Sequence, residues 1–426
     1  MLTSWRRRRA KTNHRNSGGV PDLTIPNHFL CPISLHLMED PVTLSTGTTY
    51  DRRSIETWIE AGNATCPVTN QVLRDLEPIP NHAIRKIIQD WCRSHGVHRI
   101  PTPRIPITSF EVSEIFARIF DANDEDRCRE LVSKIKESAK ESDRNKRCFV
   151  SNGAGRVLSA AFGAFSRKGC AEETVAVLAE ILSAMMMLTP VLDEETSRNL
   201  SSPPSLQKIV WFLRFGSLSG RRNAVLALKS IVSFDEETVG EVVKMGGALE
   251  ALVKLIKEPI CPATTKASLV AMYHLVKQIE YSPSMRLAEM GLVQLLLEMV
   301  VEAERSVCEK ALGVLDGMCS NEEVRERARE NALMIPVVVK KVLRVSDMAT
   351  EFSVSIMLKL VRSEEESAAV EALGAGAFQK LLLVLQIGSD EVTKEKVTEL
   401  LKVLNRYRNR VECVDSLDFK HLRRPF

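Results

Sequence analysis

Between residues 28 and 98, His28, Cys31, His36, Cys66, His82, Cys92, His95 and His98 carry the groups that commonly ligate zinc. A cross-braced pair of zinc sites needs close ligand pairs in the middle of the domain as well as at its ends. Nothing suitable lies between His36 and Cys66, and Cys66 stands alone. The spacing therefore argues against metal, and no cofactor is expected. Other chemistry is sparse. Gly18-Gly19 and Gly246-Gly247 lack the strand-loop-helix setting and the lysine of a phosphate loop. Asp193-Glu194-Glu195 and Glu364-Glu365-Glu366 read as solvated helix ends rather than acid/base pairs. No catalytic residue is assigned.

The elements that must position these residues form one unit over residues 25–98, in which strand and helix signals mix. Val42 to Leu44 and Thr48 to Tyr50 are short β-prone runs around Ser45-Thr46-Gly47, a hairpin whose glycine supplies turn freedom. Asp51 is expected to cap a helix from about Arg52 to Ala61, carrying Ile55, Trp58 and Ile59 on one face and stopped by Gly62. Cys66-Pro67-Val68-Thr69-Asn70 is a loop, and Ile79-Pro80 leads to Asn81. That asparagine is expected to cap a second helix whose core face is Ile84, Ile87, Ile88 and Trp91. Pro101, Pro103 and Pro106 punctuate a linker over residues 99–112.

From residue 113 to about 410 the pattern is helix after helix. A glycine-centred turn before an apolar helix recurs at Gly153, Gly246-Gly247, Gly291 and Gly374 to Gly376, and Asn331-Ala-Leu333 is a version without glycine. The last four fall about 40 to 45 residues apart, the period of armadillo or HEAT units, with a degenerate repeat expected around Pro203 to Phe215. Preceding helices place alanines at matching positions, in Ala224 to Leu228, Ala267 to Met272 and Ala311 to Leu315, which lets helices approach closely. Each unit leaves an apolar face that only its neighbours cover, so five to seven units should stack. Residues 411–426 read as a tail.

Composition agrees with helix. Of 426 residues, 44% are hydrophobic and only 5% aromatic, and the net charge of +3 excludes a general nucleic-acid surface. Trp5 to Arg15 is a basic cluster in a tail over residues 1–24. No apolar stretch follows it as a secretory signal would require, which leaves a solvated tail, nuclear import or contact with acidic lipid open. Ala176 to Leu192 is interrupted by Glu180 and Pro190 and reads as a buried helix, so no stable membrane insertion is expected. Ten scattered cysteines point to reduced thiols in the cytoplasm, with the nucleus and the plasma-membrane surface as further locations.

The run Phe29-Leu30-Cys31-Pro32-Ile33-Ser34-Leu35, followed by Met38-Glu39-Asp40-Pro41-Val42 and Ser45 to Arg52, closely resembles the U-box of plant ubiquitin ligases. So do Trp58, Cys66-Pro67-Val68-Thr69 and Ile79-Pro80-Asn81-His82. With the opening Trp-Arg-Arg-Arg-Arg and the downstream repeats, the chain resembles the plant U-box armadillo proteins. The resemblance implies a small α+β, zinc-free RING-like domain followed by an all-α armadillo-type solenoid.

It also implies a function. The domain would be a platform for a ubiquitin-conjugating enzyme charged with ubiquitin, contacted by Ile33 and Leu35 on a first loop, Trp58 on the central helix, and Pro67 and Val68 on a second. The repeats would select a protein substrate, and a homodimer is a further partner expected. Without metal, Ser34, Asp40, Ser45, Asp51 and Arg52 are the candidates to hold the two loops by hydrogen bonds, with ordinary caps and turn contacts as the alternative. In related U-boxes an arginine at the end of the second loop bridges enzyme and ubiquitin. Asn70 stands there instead, without charge or reach. No covalent ligase–ubiquitin intermediate is implied. The competing reading is a non-enzymatic armadillo scaffold or adaptor, but Trp211 is the solenoid's single tryptophan, which argues against the Trp-lined groove of nuclear-import carriers.

Overall fold

The computed structural model describes residues 25–95, 107–121, 124–169, 171–277, 283–362, 366–387 and 390–410. The basic cluster, His98, Glu364, Glu365 and the tail from 411 lie outside them. The chain separates into two units, residues 1–105 and 106–426.

In the first unit, strands β1 (Pro41–Thr43) and β2 (Thr49–Asp51) form the expected hairpin, with Val42 opposite Tyr50. Gly47 turns it at φ +80, in the left-handed region open to glycine at no steric cost. Helix α1 (Arg52–Glu60) follows at once, then β3 (Ile79–Pro80) and α2 (His82–Ser94). The strand order is β2-β1-β3, and β3 pairs antiparallel with β1. In sequence Ile79-Pro80 reads only as the lead into Asn81, with no strand expected, and proline cannot donate in a sheet. On an edge it does not have to.

The core beneath this sheet is small, built on Phe29, Met38, Val42, Tyr50, Ile55 and Ile88 with the thiols of Cys31, Cys66 and Cys92. Ile87, expected in the core face of α2, is 51% exposed, and Cys92, four residues beyond Ile88, takes the buried place. Asn81 caps α2 as expected, accepting from Ile84 N–H at 3.0 Å. Its amide nitrogen also donates to Thr43 and Thr49, tying the cap to the hairpin.

The second unit begins at helix Ser109–Phe120, inside the expected linker. Thr108 and Glu111 close it with a capping box, and Val112 is already core. Helix Glu125–Glu141 follows, and then six three-helix units are present among the described residues. Each has a short helix, a middle helix and a longer one. The middle helices are Ala154–Ser166, Pro203–Phe215, Ala248–Lys257, Leu292–Glu302, Met334–Lys341 and Ala377–Ile387. The glycines that precede four of them, Gly153, Gly247, Gly291 and Gly376, all have φ between +78 and +85. At the glycine-free turn the Asn331 side chain accepts from Leu333 N–H at 3.0 Å and makes the bend itself. Pro203, at the degenerate repeat, opens its helix from the first turn, where its missing N–H costs nothing.

The longer helices form the spine. Leu218–Phe234 packs on Pro262–Lys277, that on Arg305–Met318, and so on through Asp347–Val361 to Glu391–Tyr407. Ala224, Ala267 and Ala311 are buried in these contacts. Polar pairs one repeat apart add stitches, such as Lys136 with Glu180 at 2.6 Å and Lys359 with Asp316 at 2.7 Å. Of the stretch Ala176 to Leu192, residues up to Leu188 lie in the buried helix Glu172–Leu188, which ends before Pro190, and Val191 beyond it is exposed. No single helix among the described residues is long and apolar enough to cross a membrane.

Candidate functional site

The two loops of the first unit are the same turn made twice. In Cys31-Pro-Ile-Ser-Leu-His36, Cys31 N–H donates to His36 O and Leu35 N–H to Cys31 O, both at 2.8 Å. In Cys66-Pro-Val-Thr-Asn-Gln71 the matching bonds are Cys66 N–H to Gln71 O at 2.9 Å and Asn70 N–H to Cys66 O at 2.8 Å. A β-bridge closes each loop, Leu30 with Leu37 and Thr65 with Val72. The fifth residue of each is left-handed, Leu35 at φ +58 and Asn70 at φ +56. Asparagine tolerates that conformation well and leucine poorly. Leu35 is held there by its two-sided turn.

Both cysteine sulfurs point inward and act as hydrogen-bond hubs. Cys31 Sγ accepts from Asp51 N–H at 3.3 Å, and the Ser34 and Ile33 amides also turn toward it. Cys66 Sγ receives the Tyr50 hydroxyl at 3.0 Å and the Thr46 hydroxyl at 3.4 Å. Burial alone would raise the Cys66 thiol, but the hydroxyls of Thr46, Thr69 and Tyr50 and the Thr69 amide outweigh it and bring it to about 6. Tyr50 moves the other way, pushed up by burial and by the sulfur beside it, so the phenol keeps its proton and donates. Its oxygen also accepts Val68 N–H at 3.3 Å. Consecutive residues of β2, Tyr50 and Asp51, thus hold the second and first loops respectively.

A second anchor is ionic. The Asp40 carboxylate takes Arg52 Nε at 2.6 Å and, on its other oxygen, Arg85 Nη2. The Asp51 carboxylate, expected to cap α1, makes no cap bond. It reaches back instead and accepts Glu39 and Asp40 N–H at 2.9 and 3.0 Å. A carboxylate that accepts from two adjacent loop amides ties the chain entering β1 to the start of α1 through two charge-assisted bonds. Ser45 is exposed at the hairpin tip and has no side-chain partner among the described residues; its neighbour Thr46 makes the link to the second loop. Ser34 serves its own loop, accepting His36 N–H at 3.4 Å.

Sequence reading missed Tyr50, Thr46 and Arg85. Arg85 is a charge on α2 four residues past Asn81, and nothing local links it to Asp40, 45 residues earlier. Tyr50 and Thr46 carried a signal only as polar groups in a β-prone run next to a lone cysteine.

What the loops leave outside is apolar. Leu35 is 72%, Val68 55% and Ile33 38% exposed. Pro67 and Trp58 are half-buried and Asn70 is exposed. The Trp58 indole N–H donates to Thr65 O at 2.8 Å, which sets its ring at the base of the second loop. Among the described residues no three His, Cys, Asp or Glu side chains converge as metal ligands.

Paired turns braced through sulfur and carboxylate on a three-stranded sheet, ahead of three-helix repeats, define a U-box followed by an armadillo-type solenoid. Comparison with known proteins agrees. Residues 25–97 match the family model of the U-box domain, and residues 111–423 match that of the plant U-box protein ARM repeat region. U-box domain-containing protein 21 of Arabidopsis thaliana is 46% identical over 95% of this chain and 94% of its own length. The E3 ubiquitin-protein ligase PUB23 of the same plant is 34% identical, over 93% and 97%. A designed armadillo repeat protein aligns with 58% of this chain and 99% of its own, at 20% identity and a TM-score of 0.48; the repeat assignment rests on the family model. The chain belongs to the plant U-box proteins that carry an ARM repeat region.

Proposed function

We propose that this protein is a ubiquitin ligase whose two U-box loops seat a ubiquitin-conjugating enzyme while the armadillo repeats hold the protein to be modified. The observation that carries the reading is the pairing of exposed Ile33, Leu35 and Val68 with loops braced from within. Apolar side chains held out to water on a rigid frame lose little entropy when a partner covers them. Two relatives bear the name E3 ubiquitin-protein ligase, which supports the same reaction class.

Chemically the ligase supplies position. The ubiquitin C-terminus arrives as a thioester on the conjugating enzyme. A substrate lysine amine attacks its carbonyl carbon, the isopeptide bond forms, the C–S bond breaks, and the thiolate leaves on the conjugating enzyme. Holding the thioester in one reactive orientation is the contribution asked of the platform. Cys31, Cys66 and Cys92 are buried, so none of them is offered as a ubiquitin carrier. Asn70 presents an exposed amide where related domains carry the bridging arginine, and the link to ubiquitin is expected to be correspondingly weak.

The test is ubiquitin transfer to the full-length protein itself in the presence of activating enzyme, conjugating enzyme, ubiquitin and ATP. Ile33→Ala and Trp58→Ala proteins with unchanged circular dichroism should lose most of this activity, on the order of the 2 kcal/mol attributable to a central anchor. Full activity in both variants rejects the loop surface as the docking site.

A further inference from the structure

A cavity of about 590 Å³ lies between the middle helices Pro203–Phe215 and Ala248–Lys257 of adjacent repeat units. Among the side chains lining it are Arg214, Arg221 and Lys254 against a single carboxylate, Glu250, a formal balance of three positive to one negative. Glu250 is shared: it pairs with Arg286 from outside the lining and is also held in its charged form by Arg214, so one carboxylate is divided among several cations and the lining stays net positive.

The two arginines are built in rather than loosely placed. Arg214 Nη1 donates to Gly246 O at 3.0 Å, and its guanidinium lies 4.7 Å from the centre of the Phe215 ring. Gly247 makes that possible. At φ +85 it favours glycine, and an added Cβ would stand 2.5 Å from Cζ and 2.8 Å from Cδ of Arg214. The Gly246-Gly247 pair, which is no phosphate loop, is the seat of an arginine. Arg221 donates one bond, from Nη2 to Arg214 O at 3.4 Å. Its Nε is buried and has no partner among the described residues. A buried guanidinium donor without an acceptor is costly and uncommon in folded proteins. An anion entering the cavity would offset the positive charge of Arg221 through the part of the side chain that lines it, while Nε itself stays closed to solvent. Lys254 is 60% exposed, with Glu258 at a loose 3.9 Å, and Phe215, 58% exposed, offers an apolar ledge beside the charges.

We propose that this cavity takes an acidic side chain, a carboxylate or a phosphate ester, from an extended segment of the protein held by the repeats. The proposal rests on the ligase reading for its biological meaning and on the cavity alone for its chemistry. Guanidinium groups match both anions through paired donors, and a neighbouring apolar residue of the same segment would lie on Phe215.

The experiment uses the full chain and three fluorescent peptides, hexaglutamate, a phosphoserine peptide of equal length and hexalysine, read by anisotropy. Hexaglutamate, the phosphoserine peptide or both should bind, and hexalysine should not. Lys254→Glu and Arg221→Gln should each weaken the binding roughly fivefold or more. Arg198→Glu, a reversal of a side chain 73% exposed on another helix, should leave it unchanged. Lys254 is exposed enough that its variant tests the idea even where Arg221→Gln fails to fold. The anionic peptide that loses affinity identifies which anion the site prefers. No binding to the wild type, no weakening in Lys254→Glu, or equal weakening by Arg198→Glu overturns the proposal. Ubiquitin transfer by the same proteins, measured in parallel, separates the two readings. A wild type that binds the anionic peptide at this cavity yet transfers no ubiquitin sinks the ligase reading, not the cavity.

Discussion

The U-box unit and the repeat unit are held together differently. In residues 25–95 a handful of buried apolar side chains is supplemented by sulfur-centred hydrogen bonds and by one aspartate shared between Arg52 and Arg85. A domain of this size draws only a small stability margin from its apolar core, which many small domains supplement with disulfides or metals. The repeats face no such limit, because each three-helix unit buries its faces against two neighbours. Their polar pairs are stitches on an apolar stack, whereas in the U-box the polar groups form the frame. One consequence is local. Removing a single polar group should collapse a U-box loop, while removing a single leucine should soften only the repeats around it.

The sharpest way to break this contrast is Asp40→Ala. It leaves the largely buried guanidinium of Arg85 without its carboxylate and Arg52 with Glu56 alone, at 3.4 Å, and the loss of U-box stability should be about 3 kcal/mol, read as a lowered urea midpoint of its own transition with the repeat transition unmoved. A shift no larger than that of a surface pair would show that the apolar core suffices. The counterpart is Leu252→Ala, at a fully buried position in the repeats. It should cost about 2–4 kcal/mol, with hydrogen exchange accelerated in its own and the adjoining units and unchanged in distant ones. Uniform acceleration throughout would mean that the stack is one cooperative block.

Acid tests the sulfur frame. The Cys66 thiol sits at about 6 in the folded domain against an ordinary 9.0. Its stabilising share is therefore complete above pH 9 and is lost as the pH falls through 6, since the unfolded chain binds the proton more tightly. The U-box urea midpoint should drop from pH 9 to pH 6, and Cys66→Ser should flatten that slope. Cys31, also drawn downward by amide donors against the pull of burial, contributes in the same sense. A wild-type slope identical to that of the variant would remove Cys66 from the frame. The smallest effect expected is that of Asn70→Arg. It places a longer side chain in a left-handed position, costing roughly 1 kcal/mol of stability, and, on the proposed ligase reading, should raise ubiquitin transfer a few-fold by adding a charged donor at the end of the second loop. Lower activity in a folded variant would indicate that Asn70 has a contact of its own.

Much of the architecture was legible in the chain. The glycine turns at 153, 247, 291 and 376 announced the repeats because a left-handed glycine joins the short helix to the middle one at no steric cost, while at the glycine-free turn Asn331 makes the bend by accepting Leu333 N–H. The hairpin around Gly47 and the cap at Asn81 are likewise decided by neighbours within a few residues. The candidate site was less legible. Ile33, Leu35 and Val68 could be singled out only by resemblance, since an apolar residue in a small domain is ordinarily core.

The physical reason for that division is range. Turn chemistry, capping and helical periodicity act over three or four residues, so the amino-acid order alone determined where the chain bends, which segments coil and that the helices recur. Partnerships across tens of residues depend on where the backbone finally returns. Only the folded structure could decide that Asp51 turns back to the first loop instead of capping α1, that Arg85 meets Asp40, that Ser45 is left to solvent, and that a glycine pair cradles an arginine beside a basic cavity.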